Sequence, residues 1–141
     1  MRTTLVEVLG ESAGTALYTM DWLRDRVRAH LDPARLDGAL FLAESADGAG
    51  CGHLLARPER DGERPIGLVA TVFVEPAWRG RGVANALFDA GEAWLRARGF
   101  TELAYDTADH HERMIGLLRA RGYEISFRAP ERAMLRLTRR Y

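Results

Sequence analysis

The chain has 141 residues, which is enough for one domain with a hydrophobic core and too few for two domains of ordinary size. Its 20 basic and 20 acidic side chains balance, which argues against a nucleic-acid-binding surface, and no apolar run approaches the roughly 20 residues that span a bilayer. Cys51 is the only cysteine, so an intramolecular disulfide and a cysteine-based metal cluster are excluded. We therefore expect a cytoplasmic protein without a metal.

The first part of the chain predicts a strand followed by a helical segment. Residues 4–8 are a candidate strand, and Ser12 is a candidate N-cap for a helix whose apolar side chains fall near one face. Asp21, Asp25 and Asp32 lie along this segment. They either attract a cationic ligand or form a solvated helix face.

The middle of the chain predicts three antiparallel strands. Candidates at 39–44 and 51–57 are joined by a linker rich in turn residues, which is typical of a β-hairpin. A polar turn at 60–65 then precedes an apolar strand over 66–74.

A helix follows, with apolar side chains at helical spacing. Glu92 and Arg96 are four residues apart on it, so we expect them to form an ion pair, and Gly99 stands where a C-terminal cap belongs.

A second strand and helix come next. Residues 101–106 predict the strand, and Asp109 and Glu112 have capping-box spacing at the start of the helix. Two last strands are predicted over 123–128 and 132–138. The element order is β-α-β-β-β-α-β-α-β-β, a mixed α/β (α+β) fold with a mostly antiparallel central sheet flanked by helices.

The most informative stretch runs from Val72 to Ala84, where an apolar strand passes through Pro76 into a turn rich in arginine and glycine and then into a helix. Gly80 and Gly82 allow a tight turn that brings backbone N–H groups close to a ligand. The helix adds free N–H donors and the positive end of its dipole. Together these features predict a site for an anion such as a diphosphate. The alternative is an ordinary strand-to-helix turn with solvated arginines.

Residues 74–84 read Val-Glu-Pro-Ala-Trp-Arg-Gly-Arg-Gly-Val-Ala. This resembles the acyl-CoA signature of the GNAT superfamily of N-acyltransferases, in which Val-x-Pro precedes Arg/Gln-x-x-Gly-x-Gly/Ala. The element order is similar to the GNAT fold, and Gly122-Tyr123 resembles the family's Gly-Phe or Gly-Tyr after its last helix. The resemblance implies a single domain, residues 1–141, that transfers an acetyl group from acetyl-CoA to a primary amine of a small molecule or peptide by direct attack in a ternary complex.

The resemblance also implies where acetyl-CoA binds. The diphosphate would rest on residues 79–84, and the amide groups of pantetheine would follow the strand edge at 72–74, where a main-chain N–H would face the thioester oxygen. The implied cofactor-binding residues are Val72, Phe73, Val74, Arg79, Gly80, Arg81, Gly82, Val83 and Ala84.

The helix before Gly122 departs from the family pattern. Many members have Asn-x-x-Ala-x-x-x-Tyr there, and the matching residues of this chain are His111, Met114 and Leu118. The tyrosine that protonates the departing CoA thiolate in many members is therefore missing at its usual place.

Three side chains are catalytic candidates. Glu75 either deprotonates the amine, directly or through water, or is a solvated surface residue. His111 is either a polar contact or a proton-transfer group near the CoA sulfur, because imidazole titrates near neutral pH. Tyr105 replaces the missing acid if its phenol faces the cleft, and otherwise packs in the core.

The rival hypothesis is a binding module that holds CoA or acyl-CoA as a sensor or scaffold ligand with little catalysis, because a fold does not establish turnover. The expected partners are acetyl-CoA and, for the enzyme, an amine acceptor; neither nucleic acid nor a membrane is expected. A homodimer is compatible with the sequence, which does not fix the oligomeric state.

Overall fold

The computed structural model describes residues 37–141 and, before them, Asp21, Arg24, Asp25, Arg28, Ala29 and Asp32. Residues 37–141 form β1 (Ala39–Glu44), β2 (Gly50–Asp61), β3 (Arg64–Val74), α1 (Val83–Ala97), β4 (Glu102–Ala108), α2 (Glu112–Ala120), β5 (Glu124–Ala129) and β6 (Met134–Arg140). Single 3-10 turns at Pro76–Trp78 and Pro130–Arg132 follow β3 and β5. This order confirms the predicted order from its third element onward. The predicted strand at 4–8 lies outside the described residues, whereas residues 21, 24, 25, 28 and 29 of the predicted first helix are helical.

β2 and β3 form a longer hairpin than the sequence predicts. The polar turn expected at 60–65 shrinks to two residues, of which Gly62 has a φ of 63°. Asp61 and Arg64 face each other across the hairpin and form an ion pair at 2.8 Å. The polar strand ends therefore have the composition of a loop but continue the ladder.

Two interactions predicted from helical spacing are wrong. Asp109 does not cap α2: the N-cap residue is His111, and no side chain closes that end with a hydrogen bond. Glu92 does not pair with Arg96, because Glu92 turns into the protein and is 5% exposed, whereas the guanidinium of Arg96 lies 4.2 Å from the ring centroid of Tyr141. Spacing alone does not reveal which residues a helix turns inward.

The strands are ordered β1-β2-β3-β4-β6-β5, and within residues 37–141 only β3 and β4 pair in parallel. This pairing is confined to Gly67 and Leu68 of β3, although β3 continues to Val74. Immediately beyond, the β2–β3 ladder shifts register and leaves Ala70 unpaired. Because such a bulge bends a strand and increases its twist, β3 and β4 diverge toward their C-terminal ends.

α1 and α2 both contribute to one core cluster on the sheet. Leu87, Phe88 and Leu95 of α1 and Leu118 of α2 join it. Gly91 lets α1 approach the sheet closely, since a Cβ at this position would lie 2.5 Å from Cδ2 of Leu54. This packing holds the first turn of α1 beside the gap between β3 and β4.

Candidate active site

A cleft with a volume of about 360 Å³ lies beside the end of β3, beyond the residues that pair with β4. Its walls are the end of β3, the turn that follows, the first turn of α1 and one side of α2. Eight of the nine residues predicted to bind the cofactor line it, and the exception is Arg81. The geometry therefore brings the predicted strand edge and the predicted anion site together.

The turn before α1 leaves backbone donors open to this cleft. Gly80 and Gly82 have φ values of 74° and 82°, in the left-handed region that favours glycine. Gly82 is the N-cap of α1 and no side chain caps that end; the main-chain N–H of Ala86 donates to Gly82 at 3.0 Å. The N–H groups before Ala86 have no acceptor within the helix, so this end can bind an anion.

The two arginines of the turn make different contacts. Nε of Arg79 donates to the main-chain oxygen of Val74 at 2.9 Å, and its guanidinium lies 5.9 Å from the ring centroid of Phe73. Arg79 therefore ties the turn to the end of β3. Arg81 is exposed, and its guanidinium lies 5.1 Å from the ring centroid of Trp78.

Residues that the sequence did not assign to the cofactor complete the cleft. They are Trp78, Asn85, Arg113, Met114 and Leu117. The spacing of Met114 and Leu117 could have indicated a shared face of α2, because residues three apart are neighbours on a helix. Asn85, the third residue of α1, could have been inferred from its place in a turn with free N–H groups.

His111 is the catalytic candidate that lines the cleft. It is half-buried, and its Nδ1 lies 3.2 Å from the hydroxyl of Thr107, which is itself buried. Either atom donates, depending on the tautomer of the imidazole. This contact orients the ring on the cleft wall.

The other two candidates lie elsewhere. Tyr105 is buried in the core, where its ring centroid is 5.9 Å from that of Phe88, and burial raises the pKa of its phenol. Glu75 is exposed just after β3, and its main-chain N–H donates to Cys51 at 2.9 Å. Leu118, at the position of the family's tyrosine, is fully buried.

A buried carboxylate on α1 joins this helix to the C-terminal elements. Oε1 of Glu92 accepts hydrogen bonds from Tyr123 and Arg121, each at 3.1 Å. Its Oε2 accepts from Tyr141 at 2.9 Å and from Arg139 at 3.4 Å. Burial and the nearby carboxylate raise the pKa of the Tyr123 phenol, so this hydroxyl remains a donor.

Two of the three aspartates considered for a cationic acceptor pair with arginines. Asp21 and Asp25 are exposed and lie 3.5 Å from Arg24 and 3.3 Å from Arg28. Exposed pairs of this kind are typical of a solvated helix face.

Within the part of the chain that the structure describes, no three His, Cys, Asp or Glu side chains are grouped so as to hold a metal ion. Cys51 is a buried free thiol. No helix among these residues has both the length and the apolar character needed to cross a membrane.

A protein-family model described as the acetyltransferase (GNAT) family matches residues 8–123. Aminoglycoside N(6')-acetyltransferase type 1 of Stenotrophomonas maltophilia is 36% identical over 107 residues, which cover 69% of this chain and 70% of that protein. A mycothiol acetyltransferase of Saccharomonospora viridis is 37% identical over 89 residues, which cover 60% of this chain. The match spans only 29% of that second relative's length.

Solved structures share the fold. The PaiA N-acetyltransferase of Thermoplasma acidophilum, solved in complex with coenzyme A, matches with a TM-score of 0.73 over 94% of this chain and 78% of that chain. The two sequences are 13% identical, so the likeness is one of fold. It confirms the predicted mixed sheet flanked by helices.

Proposed function

Because this chain belongs to the acetyltransferase (GNAT) family, we propose that the cleft beside the end of β3 is its acetyl-CoA site. The chain is an acetyl-CoA-dependent N-acetyltransferase, which moves an acetyl group from a thioester to an amine. One observation carries the proposal: the free edge of β3 and the uncapped end of α1 meet in a single cleft.

The diphosphate of acetyl-CoA binds at the turn and first turn of α1. The main-chain N–H groups of residues 80–85 supply donors, and the positive end of the helix dipole favours the negative charge. Arg79 holds this turn against β3 through its bond to Val74 rather than acting only as a counter-ion. Arg113, on the α2 wall of the cleft, adds a positive charge to the site.

Pantetheine lies along the edge of β3. Beyond Leu68 this edge has no β4 partner in the described ladder, so its N–H and C=O groups are available to the two amide groups of pantetheine. The acyl carbon then reaches the cleft near Phe73. A main-chain N–H of residues 72–74 donates to the thioester oxygen as negative charge develops on it.

Acetyl transfer occurs by direct attack in a ternary complex. The amine nitrogen bonds to the acyl carbon, the carbon–sulfur bond breaks, and the electron pair leaves with sulfur as a thiolate. The nitrogen loses a proton and the thiolate gains one. Because the thioester is already activated, positioning supplies much of the rate and no covalent enzyme intermediate is required.

We assign protonation of the thiolate to water. A thiol has a pKa near 8.5, so its thiolate is a fair leaving group without an acid. The core position of Tyr105 and the apolar side chain of Leu118 favour this route. His111 is the alternative acid because it lines the cleft, and Glu75 is the alternative base for the amine.

The cofactor site is tested by thermal unfolding with CoA and acetyl-CoA. A ligand that binds only the native state raises the midpoint of unfolding by mass action. We expect both compounds to raise it. If neither shifts it and calorimetry detects no binding at millimolar ligand, the cofactor assignment is wrong.

The acceptor is found by measuring CoA release from acetyl-CoA over a panel of amines. An aminoglycoside is tested first, because the 36% identical relative is named an aminoglycoside N(6')-acetyltransferase. A polyamine and a peptide α-amine follow. We expect release above the rate of hydrolysis with at least one class. CoA binding without turnover on any amine would support the rival sensor or scaffold module.

We further propose that the enzyme works without a metal, in the cytoplasm. The free, buried thiol of Cys51 suits a reducing compartment. A chelator should leave turnover unchanged. Sedimentation will decide between a monomer and the homodimer that the sequence allows.

A further inference from the structure

One guanidinium links the buried carboxylate of α1 to the cofactor cleft. Arg121 is the C-cap residue of α2, and its side chain is only 11% exposed. Its Nε lies 3.1 Å from Oε1 of Glu92, and its Nη2 lies 2.6 Å from Oδ1 of Asp89. Its Nη1 donates to Oδ1 of Asn85, which lines the cleft, at 3.1 Å and to the main-chain oxygen of Asn85 at 3.4 Å. Because residues 85, 89 and 92 are four and three apart, they share one face of α1, and Arg121 spans that face.

The chemistry of this contact determines how the amide of Asn85 is turned. Arginine has only donors, so the atom of Asn85 that meets Nη1 is the carbonyl oxygen, and the amide N–H groups face away from Arg121. Asn85 is exposed and is the third residue of α1. Its amide therefore adds a side-chain donor to the turn whose main-chain N–H groups have no acceptor within the helix.

Arg121 is not itself suited to bind phosphate. Two carboxylates, Glu92 and Asp89, already contact its guanidinium, and the lining of the cleft includes Asn85 but not Arg121. Its charge is therefore balanced inside the protein. Asn85 is the residue through which it reaches the lining of the cleft.

We propose that Arg121 is a positioning residue for the cofactor: it holds Asn85 so that the amide N–H groups of Asn85 point at the diphosphate of coenzyme A. The proposal rests on the cofactor site proposed above. It assigns to this chain a contact between the end of α2 and the first turn of α1 that tunes cofactor affinity.

A double-mutant cycle on CoA binding tests this role. Calorimetry gives the Kd of CoA for the unchanged protein, Asn85→Ala, Arg121→Met and the double variant, with unfolding in urea measured for each. We expect Asn85→Ala to weaken binding by about tenfold, as for one hydrogen bond to a charged group, and Arg121→Met by a similar factor. The double variant should bind no more weakly than Asn85→Ala alone, because the proposed effect of Arg121 on the cofactor passes through the side chain of Asn85.

Arg139→Met is the matched control, since Arg139 also donates to Glu92, at 3.4 Å, but makes no hydrogen bond with Asn85. It should lower stability and leave the Kd within twofold. If Arg121→Met does not fold, Arg121→Lys takes its place, because lysine keeps a charge beside Glu92 but cannot donate in both directions at once. Its expected loss of affinity is the same.

Comparing CoA with 3′-dephospho-CoA shows which phosphate of the cofactor Asn85 contacts. The loss of affinity caused by Asn85→Ala should be equal for CoA and for 3′-dephospho-CoA, because the proposed contact is to the diphosphate and not to the 3′-phosphate. Once an acceptor is known, the KM for acetyl-CoA should rise while kcat stays within twofold.

The proposal would be overturned by additive effects in the cycle or by an unchanged Kd for Asn85→Ala. It would also be overturned if Asn85→Ala lowered the affinity for CoA but not for 3′-dephospho-CoA. If the unchanged protein binds no CoA, the proposed function itself fails. CoA binding that Gly82→Val weakens and Asn85→Ala does not would leave the cofactor site intact and remove only this inference.

Discussion

Gly82 is the residue at which backbone conformation and ligand site coincide. Its φ of 82° lies in the left-handed region that favours glycine. Apart from Gly82 and its two chain neighbours, no described heavy atom lies within 4 Å of where a Cβ would be. A side chain here would therefore meet little protein and would meet the cofactor instead. Gly99, after the other end of α1, has a φ of 89° and equally open surroundings.

We expect Gly82→Val and Gly99→Val to cost similar stability, about 1–2 kcal/mol each, because both place a β-branched residue in left-handed backbone. Only Gly82→Val should weaken CoA binding, by more than about tenfold (roughly 1.4 kcal/mol). Arg81→Ala should be milder, since Arg81 lies outside the cleft lining. Calorimetric titration of the folded variants measures this. Unchanged CoA affinity in Gly82→Val would place the ligand elsewhere.

Substitutions of His111 and Tyr105 test whether a side chain protonates the thiolate. If the thiolate leaves without an acid, His111→Ala and Tyr105→Phe should each lower turnover by less than about tenfold, below the 10²–10⁴ usual for a general acid or base. The measurement is kcat at saturating acetyl-CoA with the amine found in the screen. A loss beyond about a hundredfold in one variant, with CoA affinity intact, would identify that residue as the acid.

At the scale of elements, the site depends on how β3, α1 and α2 are shaped. The bulge at Ala70 turns β3 away from β4, and the glycine turn then directs the start of α1 into the gap. Two helical glycines show how differently the helices are held. A Cβ on Gly91 would lie 2.5 Å from Cδ2 of Leu54. A Cβ on Gly116, within α2, would have no described heavy atom within 4 Å apart from its chain neighbours and the backbone of its own helix.

We therefore expect opposite effects from the same substitution. Gly116→Ala should raise the free energy of unfolding by about 0.5–1 kcal/mol, because alanine suits a helix interior better than glycine. Gly91→Ala should lower it by about 1 kcal/mol, because the new methyl group overpacks the core beside Leu54 by more than the gain in helix propensity. Urea unfolding compares the two. A stabilised Gly91→Ala protein would show that α1 is not held against the sheet as described.

At the scale of the whole molecule, Glu92 joins elements that are distant in sequence. Its carboxylate binds the end of α2 through Arg121, the residue before β5 through Tyr123, and the end of β6 through Arg139. Removing such a buried charge leaves its arginine partners uncompensated. The opposite case is Glu102, which pairs with the exposed side chains of Arg64 and Arg140.

Glu92→Gln should lower the free energy of unfolding by about 3 kcal/mol, in the range found when one partner of a buried pair is lost. Glu102→Gln, its matched control, should cost less than about 1 kcal/mol, as is usual for pairs with exposed partners. Equal effects of the two substitutions would mean that the contacts of Glu92 contribute no more than surface pairs.

Much of this arrangement could be predicted from local sequence. The turn-rich linker after residue 44 and the glycines at 82, 99 and 122 indicated elements whose order the structure confirms, because each signal depends on neighbouring residues. Long-range features could not be predicted. The partners of Glu92 lie 29 to 49 residues away, and the spacing to Arg96 suggested a surface pair instead.

The candidate site also has a part that the sequence predicts and a part that only the fold brings together. The strand edge and glycine turn are contiguous in sequence, so a motif predicted them together. The α2 wall, with Met114 and Leu117, joins them only through the fold, and the contact of Arg121 with Asn85 crosses 36 residues. The burial of Tyr105 also depends on which face of β4 turns toward α1, which alternation alone does not decide.

The structure of the protein with coenzyme A bound tests the proposed site most directly. We predict that diphosphate oxygens lie within about 3.2 Å of main-chain nitrogens in residues 80–85 and that pantetheine runs beside residues 72–74. Coenzyme A bound elsewhere, with no phosphate at the turn before α1, would contradict it.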